Sequence, residues 1–260
     1  MKFGACIGSD AERLRILASL GFDYAEGGCG AINALTDEEF ESFLEVKNTL
    51  DFPMPVANGF IPGDIKLCGP DFSRDKVVAY LTKLYSRLDK LGTKLVIFGS
   101  GKARNVPEGM KLDDGLAEVV DCLKNIICPM AAEHGITIVI EPLRTQESNI
   151  LNTVHESAEI ARKSGIPNLK VLADVYHMVS MDEGYEYLSG LEGMLLHAHT
   201  SNPILGDARR VYPKKSDSFS QTPFLSALAA VGTQRCSLEA GCDDFAVDAA
   251  EALEVLRNAL

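Results

Sequence analysis

Four side chains that can bind a metal ion lie at the ends of four successive strand-like segments in the second half of the chain. They are Glu141, Asp174, His199 and Glu239. Each follows a short apolar run, and a helix-like segment precedes each run. Carboxylate oxygens and imidazole nitrogens are ligands of divalent cations. Carboxylates held close together repel one another unless a cation is bound. If the four segments end on one face, the sequence therefore predicts a divalent-metal site.

The hydrophobic pattern predicts eight strands that alternate with eight helices along the whole chain. The predicted strands are residues 3–7, 24–26, 55–60, 94–98, 137–141, 169–174, 194–199 and 235–239. The helices include a long one over 113–133 that Pro129 would kink, and a short one over 183–188. The alternation favours an α/β fold in which all the strands are parallel.

A closed (β/α)8 barrel with a parallel eight-stranded core, forming one domain over residues 1–260, is the fold that this pattern predicts. A doubly wound open sheet is the alternative. It would require a glycine-rich phosphate loop after the first strand, where the chain reads IGSDAER instead. In a barrel of this kind the active site lies at the C-terminal ends of the strands. The four metal-competent residues would therefore converge there.

Composition excludes several classes of partner. The formal net charge of -12 disfavours binding to nucleic acid. The seven cysteines are odd in number and include no CxxC pair, which is typical of a reduced, cytoplasmic protein. The first residues, MKFGACIGSD, resemble a strand rather than a secretory signal. No apolar run approaches the roughly 20 residues that span a membrane, so we expect no membrane partner.

Further polar residues follow the same strands and are of the types that hold a polyhydroxylated substrate. They are Glu147, Asn149, His177, Arg209 and Arg210. The two arginines belong to a long loop over residues 200–219, expected on the catalytic face. Each residue also has a simpler explanation: His177 as a helix-start histidine, and the arginines as solvated loop side chains.

Two other features bear on the site. His197 shares a strand face with His199 and should lie one layer deeper, beneath the predicted ligand rather than beside it. A glycine-rich turn, GSGKAR, follows the fourth strand. A phosphate or carboxylate on the substrate could be received by a set of basic residues, namely Lys102, Arg104, Arg210, Lys214 and Lys215.

Several strings in the second half of the chain resemble one known group of enzymes. They are IEPL, which contains Glu141 and is followed by Glu147 and by NILNT; D-x-x-H-M, which begins at Asp174; H-A-H-T, which contains His199; R-x-V, which begins at Arg209; and S-L-E, which ends at Glu239. Together they resemble the xylose-isomerase-like TIM-barrel superfamily of sugar isomerases and epimerases, near the ketose 3-epimerases. The resemblance is specific over strands five to eight and extends to the first half only in outline.

The resemblance implies roles for these residues. Glu141, Asp174, His199 and Glu239 would ligate one divalent cation, which could be manganese, magnesium, cobalt or zinc. Glu141 and Glu239 would be the acid/base pair, and Glu147, His177 and Arg209 would bind a small carbohydrate. The chain departs from the ketose epimerases in reading HAHTSN and YPKK where they have H-x-H-x-G-E and P-G, and in lacking tryptophan. These departures leave the sugar open, including whether it is phosphorylated.

The function predicted is a metal-dependent sugar isomerase or epimerase that acts through a cis-enediolate on a ketose, a polyol ketone or a sugar phosphate. A cation beside the carbonyl stabilises the enediolate, one carboxylate removes a proton and a second returns one. Return to the same carbon inverts it, whereas return to the neighbouring carbon interconverts aldose and ketose. The sequence leaves open whether the chain forms a homo-oligomer.

Three other functions remain as alternatives. The same enediolate could expel a hydroxyl, as in a keto-polyol (inosose-type) dehydratase. An apurinic-site endonuclease would require three metals, more histidines and a basic face, against which five histidines and the net charge of -12 argue. A non-catalytic sugar-binding barrel would not require both Glu141 and Glu239.

Overall fold

Eight short runs of apolar and β-branched residues form the strands of a closed parallel barrel. The computed structural model describes residues 1–204 and 209–260. The barrel strands are β1 Lys2–Gly8, β2 Tyr24–Gly28, β3 Val56–Asn58, β4 Leu95–Phe98, β5 Thr137–Ile140, β6 Leu169–Asp174, β7 Leu195–Thr200 and β10 Arg235–Leu238. They pair in the order of the chain, and β10 closes on β1. The predicted (β/α)8 TIM barrel is confirmed.

A small antiparallel ribbon lies outside the barrel, in the loop that follows β7. Its strands are β8 Asn202–Pro203 and β9 Arg210–Val211. Residues 205–208 of the predicted catalytic-face loop lie outside the described part of the chain. The ribbon brings the second half of this loop back toward the end of β10, because Val211 also bridges to Gly241.

Helices surround the barrel, and their ends follow local capping rules. They are α1 Ala11–Leu20, α2 Cys29–Ala34, α3 Asp37–Thr49, α4 Arg74–Leu91, α5 Gly101–Arg104, α6 Leu112–Cys122, α7 Cys128–Glu133, α8 Val154–Ser164, α9 Val175–Ser180, α10 Thr222–Ala230 and α11 Phe245–Asn258. Thr36 and Glu39 form a capping box at the start of α3. Gly92 ends α4 in the left-handed conformation. In the described ranges no helix has both the length and the hydropathy to cross a membrane.

The long helix predicted over residues 113–133 is wrong in its middle. A π-helical segment, Leu123–Ile127, separates α6 from α7, and Pro129 lies in the first turn of α7. Proline has no N–H to donate to the preceding turn, which accounts for the break in the α-helical register just upstream. The short helix predicted over 183–188 is a 3₁₀ turn, Tyr185–Leu188. Three short helices at the catalytic face, α2, α5 and α9, were not predicted.

The barrel interior is apolar at its base and polar at its top. The buried apolar side chains of the base are Tyr24, Val56, Leu95, Ile97, Val139 and Leu172. Side chains alternate between the two faces of a strand with a period of two. Glu26, Glu141, Asp174 and His199 are therefore aimed into the barrel, each above an interior residue two positions earlier.

Arg104 is buried at the catalytic face, so its predicted role in receiving a substrate anion is wrong. Its guanidinium donates to the carbonyl oxygens of Phe98 (2.9 Å), Glu141 (3.0 Å) and Leu151 (3.1 Å), and its Nε donates to Ser148 Oγ (3.2 Å). The side chain is fully buried, and burial lowers its pKa to about 10. Arg104 thus ties the end of β4 to the end of β5, beside Glu141.

Replacing Arg104 by lysine should lower the free energy of unfolding by about 2–4 kcal/mol, because a lysine ammonium cannot reach four acceptors arranged around a planar guanidinium. Urea unfolding in the presence of a chelator would measure this. Arg162→Lys is the matched control, since Arg162 makes an exposed bond to Gly190 O, and it should change the free energy by no more than about 0.5 kcal/mol. Equal stability of the two variants would contradict the role given to Arg104.

Candidate metal centre

The four residues that the sequence offered as metal ligands meet at the top of the barrel. Glu141, Asp174, His199 and Glu239 each present one potential ligand atom, and these atoms lie within 4.8 Å of one another. Glu141 and Glu239 immediately follow β5 and β10, Asp174 ends β6, and His199 lies near the end of β7. Glu141, Asp174 and His199 are buried, and the Glu239 side chain is 20% exposed. The cluster therefore lies just below the surface of the catalytic face.

Neighbouring groups hold each carboxylate in place. Asp174 caps α9, because its Oδ1 accepts from the backbone N–H of Tyr176 at 2.8 Å. Glu239 Oε1 accepts from Asn58 Nδ2 at 2.9 Å. The glycine at position 99 leaves space for Glu141, because a Cβ there would lie 2.4 Å from Glu141 Oε2 and would displace that carboxylate. The glycine-rich turn after β4 thus makes room for a carboxylate.

His199 lies between carboxylates on both sides of its ring. Its Nδ1 is 2.9 Å from Glu141 Oε1 and 3.0 Å from Glu239 Oε2, and its Nε2 is 2.8 Å from Glu26 Oε1. Burial opposes the charged ring, yet the carboxylates of Glu26 and Glu239 outweigh it and raise the pKa of His199 well above its ordinary value. One oxygen of Glu141 and one of Glu239 therefore face His199 Nδ1. Because carboxylate oxygens do not donate, a proton on Nδ1 or a bound cation must lie between this nitrogen and the two oxygens.

Glu26 is the buried residue that sequence reasoning missed. It ends the predicted second strand, and its carboxylate lies between the rings of His199 and His197, with His197 Nε2 at 2.9 Å from Oε2. His197 lies one layer deeper than His199, as its spacing indicated. The local signal was slight, because strand 2 is short and its functional partners lie 171 and 173 residues later in the chain.

Arg210 is the arginine that reaches the carboxylates. Its Nη1 lies 2.5 Å from Asp174 Oδ2 and its Nη2 2.9 Å from Glu239 Oε2. Its guanidinium also lies over the Tyr176 ring, 4.9 Å from the centroid. Burial raises the pKa of Asp174, and Arg210 opposes that rise. Arg209, the residue chosen from the sequence, is exposed and lines a neighbouring cavity of about 510 Å³.

His177 and Glu147, the other two predicted substrate-binding residues, lie beside the cluster. His177 Nδ1 accepts from the backbone N–H of Arg144 at 3.2 Å, and its Nε2 is 3.8 Å from Asp174 Oδ2. Burial lowers the pKa of His177 to about 4, so the ring is neutral near pH 7. Since Nδ1 accepts, Nε2 carries the proton and is a donor at the site. Glu147 is partly exposed and accepts from Arg144 Nε at 2.7 Å.

Other residues that the sequence associated with substrate are engaged elsewhere. Asn149 exchanges hydrogen bonds with the backbone of Val106, so it joins two loops. Lys214 pairs with Asp248 at 3.2 Å, and Lys215 pairs with Glu254 at 2.8 Å. Because Lys214 and Lys215 are paired with carboxylates and Arg104 is buried, most of the basic residues predicted to receive a substrate anion are engaged in other contacts.

The donor set at the top of the barrel suits a divalent cation. Three carboxylates and one imidazole nitrogen are ligands that Mn²⁺, Mg²⁺, Co²⁺ or Zn²⁺ accept. Glu239 Oε2 is buried and, among the described residues, accepts no well-directed hydrogen bond despite its close ion pairs. Its lone pairs are therefore available to a cation.

Cys6, Glu26 and His199 form a second group whose potential ligand atoms also lie within 4.8 Å of one another, but this group is less suited to binding a metal. Both oxygens of Glu26 already accept from histidine nitrogens. Burial raises the pKa of the Cys6 thiol well above its ordinary value, with Glu26 adding to the rise, so the thiolate that a metal requires is disfavoured. The four-residue group is the better candidate.

Comparison with known proteins agrees with this architecture. The chain is 27% identical over 206 residues to D-psicose 3-epimerase from Agrobacterium fabrum, an alignment that covers 76% of this chain and 68% of that protein. A crystal structure of D-psicose 3-epimerase in the presence of D-fructose superposes with a TM-score of 0.84 at 20% identity, covering 100% of this chain and 99% of the other.

A second solved structure has the same fold. It is the apo form of 3-keto-D-glucoside 4-epimerase from E. coli, with a TM-score of 0.81, 19% identity and 99% of each chain covered. The sequence also matches the family described as xylose isomerase-like TIM barrel over residues 14–259. Because that match spans nearly the whole sequence, the resemblance inferred from the motifs is confirmed, and the chain belongs to the xylose isomerase-like TIM barrel family.

Proposed function

We propose that this protein is a metal-dependent ketose epimerase or isomerase. The observation that carries the proposal is the meeting of Glu141 and Glu239 at one imidazole nitrogen, His199 Nδ1, from strands separated by two others. Two carboxylates that reach one point from different sides are suited to removing and returning a proton on a bound carbon. The family and the 27% identical 3-epimerase support a sugar isomerase in the broad sense.

Glu141, Asp174, His199 and Glu239 are the residues that would hold one divalent cation. When bound, the cation supplies positive charge that stabilises the oxygens of a ketose as the neighbouring carbon loses its proton. Asp174 is suited to holding the cation rather than to moving a proton, because Tyr176 N–H and Arg210 fix both of its oxygens. Glu141 and Glu239 are left to move the proton.

The substrate would be oriented by residues around the cluster. His177 presents its Nε2–H to the site and is suited to donating to a hydroxyl or carbonyl oxygen. Glu147 is held by Arg144 at the rim, where it is suited to accepting from a sugar hydroxyl. Because Arg104, Lys214 and Lys215 are engaged elsewhere, we favour an unphosphorylated ketose. The names of the relatives, epimerases of D-psicose and of a 3-keto-D-glucoside, support the same class.

Asp174→Asn should remove most of the metal affinity, because the amide keeps the cap on α9 but loses the charge that a hard cation requires. Calorimetric titration of chelator-treated protein with Mn²⁺ would give one site per chain for the unmodified protein and at least about 10-fold weaker binding for the variant. Asp244→Asn, at the cap of α11, is the matched control and should bind normally. Equal affinity of Asp174→Asn and the control would refute the ligand assignment.

Glu141→Gln and Glu239→Gln should each lower turnover by roughly 10²–10⁴-fold, because glutamine keeps the size and one oxygen donor but cannot act as the base. The assay is exchange of a substrate C–H for deuterium from D₂O, followed by NMR across free ketoses, 3-ketoglycosides and ketose phosphates. Either variant should still exchange the proton on the face served by its remaining glutamate. Glu159→Gln, on the exposed side of α8, is the control.

Retained metal together with near-normal turnover in both glutamine variants would show that the proposed proton transfer is wrong. Strong exchange with ketose phosphates and none with free ketoses would contradict the preference for an uncharged sugar, while leaving the reaction class in place.

Arg209→Met and Arg210→Met should separate the two neighbouring arginines. Arg209→Met should raise KM with little change in metal affinity if Arg209 contacts the sugar, as the resemblance implies. Arg210→Met should change the metal dissociation constant as well, because Arg210 contacts Asp174 and Glu239 directly. Steady-state kinetics and metal titration of both variants provide the comparison. Unchanged kinetics in Arg209→Met would return Arg209 to the solvated loop.

A further inference from the structure

A chain of buried polar groups crosses the barrel beneath the proposed metal ligands. Glu26 lies at its centre, with Oε1 2.8 Å from His199 Nε2 and Oε2 2.9 Å from His197 Nε2. From His197 Nε2 the chain continues to Ser237 Oγ at 3.2 Å and then to the Tyr24 hydroxyl at 2.9 Å. Each of these five side chains is at least 99% buried. The proposed function gives no role to Glu26, His197, Ser237 or Tyr24.

We infer that Glu26 is a positioning residue that fixes which nitrogen of His199 faces the metal site. A carboxylate only accepts hydrogen bonds, so the nitrogen of His199 that contacts it must carry a proton. That nitrogen is Nε2. Nδ1 faces the carboxylates of Glu141 and Glu239 instead, so in the metal-free ring it is protonated as well, and it would give up that proton and offer its lone pair when a cation is bound. A histidine binds a metal through its unprotonated nitrogen, and the hydrogen bond of the other nitrogen selects that form.

The surroundings of Glu26 argue against a role in packing alone. Apart from His197 and the Tyr24 hydroxyl, the layer below it is apolar, and an apolar side chain at this depth would avoid the large desolvation cost of a buried carboxylate. Glu26 is retained between two imidazoles, and both its oxygens are used by donors. His197 holds the second oxygen, so the carboxylate cannot rotate away from His199. His197 Nδ1 makes no hydrogen bond with any residue in the described ranges, which leaves Glu26 as the strongest partner of that ring.

The inference rests on the proposed function only in needing a divalent cation at Glu141, Asp174, His199 and Glu239. It requires no turnover and no particular sugar. Its test therefore uses metal affinity and the protonation of the histidine ring, both of which are measured without substrate.

Glu26→Gln is the decisive substitution, because glutamine has the same size but presents one donor and one acceptor. One of the two histidines must then face an N–H₂ group, which favours the opposite ring form. Titration of chelator-treated protein with Zn²⁺ should show about 10–100-fold weaker binding in Glu26→Gln. Tyr24→Phe, at the far end of the same buried chain, is the matched control. It should bind Zn²⁺ within about 3-fold of the unmodified protein.

The ring form of His199 is a readout that a structural role alone would not change. The protein has five histidines, so long-range ¹H–¹⁵N spectra of the Zn²⁺-loaded protein are simple enough to assign with His199→Gln. The unmodified protein and Tyr24→Phe should show His199 with its proton on Nε2. Glu26→Gln should show a mixture that includes the Nδ1–H form. Because the first of these spectra needs no Glu26 variant, the test stands even if Glu26→Gln fails to fold.

The outcomes separate this inference from the proposed function. A Zn²⁺-loaded unmodified protein with the His199 proton on Nδ1 would overturn the positioning role. Normal Zn²⁺ affinity in Glu26→Gln, together with lost affinity in Asp174→Asn, would also overturn it. In both cases the proposed metal site would stand. Failure of the unmodified protein to bind any divalent cation would overturn both.

Discussion

The arrangement at the top of the barrel depends on the repulsion among four carboxylates in a buried space. Glu26, Glu141, Asp174 and Glu239 all contact His199 or Arg210, and like charges at this range repel strongly where water is excluded. Among the described residues, His199 and Arg210 are the cationic groups in direct contact with the four, because burial lowers the pKa of both His177 and His197. Two positive charges against four negative ones leave an excess that a divalent cation would offset. The ion pairs of His199 and Arg210 thus hold the carboxylates close enough together to act as one site.

The period of two along parallel strands places this charge at one end of the barrel. Val139 and Leu172 face the interior at its apolar base, and Glu141 and Asp174 follow them two residues later on the same face. The pairing of Asp174 with His199 and of His199 with Ser237 keeps the neighbouring strand ends level. A slip of one residue in any of these strands would turn its functional side chain toward the helices. The register that fills the core is therefore also the register that assembles the site.

Local sequence patterns were enough to predict the strands and the four metal-competent residues, because each of those residues ends an apolar run. The same reasoning missed Glu26, whose importance comes from histidines more than 170 residues away. It also assigned Arg104 to the substrate, since a basic residue in a glycine-rich turn gives no indication that it will be buried against three carbonyls. The neighbouring Arg209 and Arg210 are chemically identical, and only the path of the loop determines that Arg210 meets Asp174. Such distinctions depend on tertiary contacts that neighbouring residues do not encode.

The proposed function would place chemistry and specificity in different parts of this molecule. Glu141, Asp174, His199 and Glu239 are fixed at the strand ends, and their arrangement is suited equally to epimerisation and to aldose–ketose isomerisation. Under the proposed function, the outcome would depend on which carbon of the sugar lies between Glu141 and Glu239, and contacts at the rim would place that carbon. There the Tyr176 ring lies beneath both Arg144, which holds Glu147, and Arg210, which contacts the carboxylates. A change in the loop that carries Arg210 would move the sugar relative to a constant pair of glutamates. Under the proposed function, substitutions in the rim loops of this protein should therefore change which sugar it accepts, and substitutions at the strand ends should change the reaction itself.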